Sequence, residues 1–168
     1  MVQKTRKLPK VVRPEEFIQL MKSIPKEAIK AKIAFVLGYG AGMRVSEVAN
    51  CDPKHFRPNS ILVEEGKGGV DRVVPLPRGW RTSFKKNLPL RVCTRTLQRW
   101  FKTYAFKCGL SKALSFHSLR HGFATRSIEN GVALNQVQLL LGHANIATTS
   151  IYTKANPVDA LKSYEAHF

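Results

Sequence analysis

Ser115-Phe116-His117-Ser118-Leu119-Arg120-His121-Gly122-Phe123-Ala124-Thr125 lays a helical apolar stripe and a set of phosphate-seeking groups over the same stretch of chain. Leu119 and Phe123, with Ile128 further on, predict the inward face of a helix. The i, i+3 and i+4 spacing then brings His117, Arg120 and His121 to one face, at or near a cleft. Two histidines four apart also raise a zinc reading. The zinc-protease pattern needs Glu directly after the first histidine, however, and Ser118 stands there, while Arg120 would repel a cation.

Downstream, Gly131 should stop this helix, and Leu134, Val137, Leu140 and Leu141 predict another that ends at Gly142-His143. A histidine at a helix end is also an ordinary cap. Asn145 to Tyr152 then reads as a short connection, because Asn156-Pro157 announces a last helix by an N-cap followed by a first-turn proline. Tyr152 lies on that connection. A lone phenol, with its pKa around 10, is unreactive near neutrality.

Upstream, Pro14 followed by Glu15, Glu16, Phe17, Leu20 and Met21 predicts a short amphipathic helix, and apolar spacing predicts a second from about Glu27 to Gly38. Gly38, Gly40 and Gly42 interrupt that pattern, so Arg44 sits where a glycine-rich turn feeds the next helix. Such a place suits a phosphate ligand, since glycines admit close backbone approach and a helix start adds positive potential. Glu47, three residues on, shares a helical face with Arg44 and could orient it, although taken alone an exposed pair at this spacing is more often a weak surface contact.

The period then changes. Ser60 to Val63 and Arg72 to Leu76 are β-rich runs flanking a glycine-rich segment, which predicts a hairpin with Lys67 near its tip. The segment is no P-loop, because the Walker spacing and the final Gly-Lys-Ser/Thr are absent. Next, Thr94 caps a run in which Leu97, Trp100, Phe101, Tyr104 and Cys108 recur at helical spacing, with Gly109 as a stop. Arg95, Arg99, Lys102 and Lys107 stand between these apolar positions. Their face could meet DNA phosphates or the major groove, or be merely solvated. Together the elements predict an α+β fold, mainly α-helical, with a small antiparallel hairpin.

Charge narrows the partner: 28 Lys and Arg against 11 Asp and Glu give +17 on 168 residues. Such a chain seeks a polyanion, and nucleic acid is the foremost reading, with a ribosomal-type or merely basic protein as the alternative. Apolar runs such as Ile33 to Leu37 are far too short to span a membrane and no signal-peptide pattern opens the chain, so a soluble, intracellular protein is expected. Cys51, Cys93 and Cys108 fit neither a disulfide framework nor a zinc site. Lys4-Thr5-Arg6-Lys7-Leu8-Pro9-Lys10 reads as a basic arm.

A phosphodiester is itself an anion, so breaking one without a metal requires fixed positive donors on its free oxygens and a nucleophile from the protein. Arg44, Lys67, His117, Arg120, His143 and Tyr152 form such a set. The series Gly42-Met-Arg44-Val-Ser-Glu47, Gly66-Lys67-Gly68-Gly69, His117-Ser-Leu-Arg120-His121 and Leu140-Leu-Gly-His143 followed by Tyr152 resembles the catalytic domain of the tyrosine recombinases, the lambda-integrase family. The resemblance covers nearly the whole chain, with Lys67 its softest match and nearby Arg72 the alternative.

The resemblance implies cofactor-free chemistry in which Tyr152 attacks a DNA phosphodiester, forms a 3′-phosphotyrosyl link and releases a 5′-hydroxyl that later reseals the strand. Arg44 and Arg120 would then fork onto phosphate oxygens, Lys67 protonate the leaving oxygen, His117 help activate Tyr152 and His143 bind phosphate. Glu47 and His121 would support them. Residues 1–12 are expected to be a basic linker and 13–168 the catalytic domain, without the N-terminal DNA-binding domain that full-length members carry; alone, it should bind DNA weakly with steep salt dependence. Self-association on DNA as a dimer or tetramer is implied too. A type IB topoisomerase-like relaxing enzyme and a catalytically silent DNA-binding module are the competing readings.

Overall fold

The computed structural model describes residues 10–64, 71–142 and 157–168. Along the chain these form α1 (Pro14–Ser23), α2 (Ile29–Gly40), α3 (Val45–Ala49), strands β1 (Ser60–Val63) and β2 (Arg72–Pro75), α4 (Thr94–Lys107), α5 (Phe116–Glu129), α6 (Leu134–Leu141) and α7 (Pro157–His167), with 3-10 turns at Pro53–His55 and Thr82–Asn87. The mainly helical α+β reading holds. The two strands pair antiparallel in the register Ser60↔Pro75 to Val63↔Arg72.

Helix α2 is apolar nearly all round and is the axis of the main core, as a helix without a polar face must be. Phe35 meets Phe101, Tyr104 and Phe116 edge-on, with centroids at 5.8, 6.3 and 6.0 Å, so α4 and α5 close on it from two sides. A second cluster, Phe123, Val132, Val137, Leu140, Leu141, Ala160 and Tyr164, binds α5, α6 and α7 together. Its outer edge is a stack of Tyr164 between Phe123 and Phe168. Val12 is buried and its backbone N–H donates to Ser118 O at 3.2 Å, so the chain is already docked on α5 before α1 begins.

Four local expectations shift. Helix α2 starts at Ile29, because Ala28 N–H closes a turn on Pro25 O, and it runs through Gly38 and Gly40 instead of breaking there. Those glycines serve close approach: a Cβ on Gly38 would lie 3.2 Å from Phe116 and Leu119, and one on Gly40 would lie 2.5 Å from Pro77. Thr94 is the first residue of α4, with Cys93 at the cap position. Ile128 is exposed and Ser127 takes the inward place, its hydroxyl donating to Phe123 O at 2.8 Å. At about 3.6 residues per turn, residue 128 falls opposite Leu119, whereas 119, 123 and 127 stay on one face. Leu134 is likewise exposed, at the start of α6.

Candidate active site

Arg44 occupies the N-cap of α3 in extended conformation, and Glu47 is the third residue of that helix. Glu47 Oε2 accepts the Arg44 backbone N–H at 2.7 Å, while Oε1 accepts Arg44 Nη1 at 2.8 Å. The returning carboxylate of a capping box thus also grips the side chain of the residue that it caps. The pair is no loose surface contact: the Glu47 side chain is 7% exposed and that of Arg44 21%.

Arg72 opens β2 opposite Val63. Side chains two apart on a strand share a face, so Arg72 points the way of Val74 and faces the core. It is 6% exposed. Both ends of its guanidinium engage Glu47, Nη1 to Oε1 at 2.8 Å and Nη2 to Oε2 at 2.7 Å, and Nε donates to Leu140 O at 2.8 Å. Arg120 comes from α5 and is 4% exposed. Its Nη1 donates to Gly42 O at 2.7 Å and its Nη2 to Leu141 O at 2.6 Å. Arg44 Nη2 in turn donates to Gly142 O at 2.9 Å.

Three arginines far apart in sequence therefore meet at one place, the C-terminus of α6. The last carbonyls of a helix lack intrahelical partners and carry the negative end of its dipole. Here the consecutive carbonyls of Leu140, Leu141 and Gly142 each receive a different guanidinium, from Arg72, Arg120 and Arg44. Gly142 is left-handed at φ 61°, and a Cβ on it would lie 2.8 Å from Arg72 Cδ, so the close approach requires glycine.

The electrostatics of this junction are lopsided. Burial alone would raise the Glu47 pKa, but the hydrogen bonds and charge of Arg72, followed by those of Arg44, hold it at about 2. Glu47 is therefore ionised throughout the neutral range. Arg120 is pulled down to about 9, first by burial and then by the repulsion of Arg44 and Arg72, with Glu47 acting the other way. Among the described residues, Arg44 and Arg72 bond the Glu47 carboxylate, while Arg120 is held by backbone carbonyls and feels that carboxylate through its charge alone. Such a site favours an anion.

His117 stands on the exposed first turn of α5, and its ring meets that of His121 edge-on, with centroids at 4.4 Å. The two share a face as expected. Arg120 does not join them at the surface, since it turns inward to Gly42 and Leu141. Burial, followed by the Arg120 charge, lowers the His121 pKa and so disfavours the charged ring. Among the described residues no group of three His, Cys, Asp or Glu side chains could hold a metal ion.

One groove runs from Val45, beside Arg44, past His117, Ser115 and Phe116 to Arg95, Gln98, Arg99 and Lys102 on α4. Arg95, Arg99 and Lys102 thus form a basic wall adjoining the arginine junction. Lys102 has a structural task as well, since its ammonium donates to Lys112 O and Leu114 O, both at 2.7 Å, and so ties α4 to the turn before α5. A second groove is lined by Arg44 and Glu47 themselves together with His55 and Glu64, which pair at 3.1 Å.

Lys67, His143 and Tyr152 lie outside the described residues. The structure brings Arg44, Glu47 and Arg120 together and adds Arg72, which sequence reasoning weighed only as a rival to Lys67. The available signal was strand alternation: with Val74 facing the core, Arg72 had to face it too, and a buried arginine needs partners.

The fold finds its counterpart in known proteins. The phage integrase family model matches residues 10–158, and the chain belongs to this family. The tyrosine recombinase XerA of Pyrococcus furiosus is 35% identical over 167 residues, covering 88% of this chain and 58% of that protein. The crystal structure of a XerA recombinase aligns with a TM-score of 0.73 at 26% identity, covering 99% of this chain and 66% of that one. The XerH site-specific recombinase, solved bound to its difH substrate before cleavage, shares the fold with a TM-score of 0.70 at 23% identity, over 93% of this chain and 54% of that one. The chain thus spans about three fifths of the length of the curated relatives that it matches. No helix among the described residues is long and apolar enough to cross a membrane.

Proposed function

We propose that this chain is the catalytic domain of a site-specific DNA recombinase or integrase that cuts and rejoins DNA through a 3′-phosphotyrosine intermediate. The observation that carries the reading is the surplus of guanidinium charge around Glu47, where Arg44 and Arg120 converge on the end of α6 from separate elements. Fixed cations with too few anions are what a phosphoryl transfer enzyme requires, because charge on the non-bridging oxygens grows in the transition state and preorganised donors answer it without reorganisation.

In this reaction Tyr152 Oη forms a bond to phosphorus while the bond to the 5′-oxygen breaks, and Lys67 gives that oxygen its proton. Lysine suits the role because an ammonium can release a proton where a guanidinium practically cannot. His117 receives or relays the phenol proton, His143 binds phosphate, and Glu47 and His121 support Arg44 and His117. Attack by a second strand's 5′-hydroxyl reverses these bonds. Residues 13–168 constitute the catalytic unit, onto which Val12 already docks, and the basic residues before Val12 serve as a linker. The partner is double-stranded DNA inside the cell, and exchange between two duplexes calls for dimers or tetramers of the enzyme on DNA.

The test is trapping on nicked suicide duplexes with randomised arms, in EDTA. Wild type should yield an SDS-resistant protein–DNA adduct, and Tyr152→Phe should yield none. No wild-type adduct would refute the recombinase reading, and an adduct from the variant would displace Tyr152 as the nucleophile. Relaxation of a supercoiled plasmid without exchange between two-site substrates would favour a topoisomerase instead.

A further inference from the structure

We propose that Arg72 is a positioning residue of the active site, acting through Glu47 on Arg44. Its geometry differs from that of a packing arginine. One side of the guanidinium is spent in two parallel bonds to the Glu47 carboxylate, at 2.8 and 2.7 Å, and Nε reaches Leu140 O at 2.8 Å. The same carboxylate holds Arg44 at both backbone and side chain. Glu47 therefore has its two oxygens divided between two arginines, and its position is set from two elements at once.

Arg72 contributes what Arg44 and Glu47, close neighbours at the start of α3, cannot supply for themselves. An isolated arginine and glutamate three apart on a short helix are free to swing together, and such pairs are weak. The forked contact from β2 fixes the plane of the carboxylate. Since Arg72 also holds α6 by Leu140 O, it fixes Arg44 relative to Gly142 O, where the other end of the Arg44 guanidinium is seated. Lysine would keep the charge and lose the fork.

The kinetic arm of the test rests on the recombinase reading; the spectroscopic arm does not. With a duplex recovered from the trapped adduct, Arg72→Met and Arg72→Lys should lower the maximal single-turnover cleavage rate by about 10- to 100-fold, the scale reported for partners that orient metal ligands. The half-saturating DNA concentration should shift less than about threefold, since Arg72 faces the core. In the cycle of Glu47→Gln, Arg72→Met and the double variant, the double should cleave no more slowly than the slower single, because both changes act on one path. The double variant also leaves no unpartnered carboxylate, which keeps the test open if Arg72→Met folds poorly. Wild-type cleavage by Arg72→Met, multiplying effects in the double variant, or equal losses of rate and half-saturation would each overturn the proposal.

The second arm needs no DNA. In guanidinium-selective ¹⁵N spectra of the free chain, the Arg44 side-chain signals, assigned with Arg44→Lys, should be sharp in wild type and broadened in Arg72→Met. Unchanged Arg44 signals would overturn the positioning role whatever the cleavage assay shows. Broadening in a chain that forms no adduct would refute the recombinase reading and leave the positioning intact.

Discussion

Arg72 and Glu47 join the hairpin to α3 through two parallel hydrogen bonds, Nη1 to Oε1 at 2.8 Å and Nη2 to Oε2 at 2.7 Å, with both side chains almost fully buried. Breaking one partner of a buried pair commonly costs about 3–5 kcal/mol, because the other charge is left uncompensated.

That pair makes stability depend on acid. The Glu47 pKa lies at about 2 against 4.5 for the ordinary carboxyl, so between these values the unfolded chain binds the proton and the folded chain does not. The contribution is fully present above about pH 4.5 and is lost as pH falls through about 2. Urea midpoints measured from pH 7 to 2.5 should show wild type well above Glu47→Gln at neutrality, with the gap closing below pH 4.5. A gap that stays constant across this range would place the stabilisation elsewhere.

Arg120 leads to a prediction about anions. Its charged form is disfavoured by burial and by two neighbouring guanidiniums, and it remains charged at neutral pH with a pKa of about 9. An anion seated on the junction would relieve that repulsion and so bind the folded state alone. Inorganic phosphate at about ten times its dissociation constant should add about 1.4 kcal/mol and raise Tm by roughly 3–5 °C. Arg120→Met should show no such rise at matched ionic strength. An equal rise in both proteins would reflect general salt effects.

Much of this was legible in the sequence, and the omissions have physical causes. Periodicity found the helices, because an apolar stripe at helical spacing has few other uses. Arg44 and Glu47 were legible as a pair because they are close in sequence and lie where a turn meets a helix. Their burial was not, since it depends on β2 and α6 closing over them. Arg120 was placed on the correct helix but on its polar face. What turns it inward is the pair of carbonyls of Gly42 and Leu141, and backbone acceptors leave no mark in side-chain patterns. The glycines of α2 misled for a related reason: as sequence they break helices, while in the fold they admit Phe116, Leu119 and Pro77.

Gly142 is an exacting backbone position of the junction. Alanine there would have to take up a left-handed conformation, at a cost of about 1–2 kcal/mol, and its Cβ would press on Arg72. The nearest atoms, Cδ and Nε at 2.8 and 3.2 Å, belong to the side chain held by Glu47 and Leu140 O, so there is little freedom to retreat. Gly142→Ala should lower the denaturation midpoint and the adduct yield together, and Gly142→Asn, which tolerates this conformation better, should fare no better where the Cβ contact dominates. Full recovery in the asparagine variant would show that φ alone had mattered.

The groove beside His117 predicts how the chain would hold DNA. Arg95 and Arg99 are exposed on α4 and line it, while Lys102 is tied by two bonds to the turn before α5. Each phosphate contact releases counterions and contributes about 0.9 to the slope of log affinity against log salt. Arg95→Ala and Arg99→Ala should each flatten that slope by about one and weaken binding similarly across unrelated sequences. Lys102→Met should act mainly on the fold: with two carbonyls losing their donor, thermal stability should fall by about 1–2 kcal/mol, and the slope should change by less than half as much as for either arginine. Filter binding at several salt concentrations, beside thermal melts of the same three variants, separates the two effects. A slope untouched by both arginine variants would remove this face of α4 from the DNA interface.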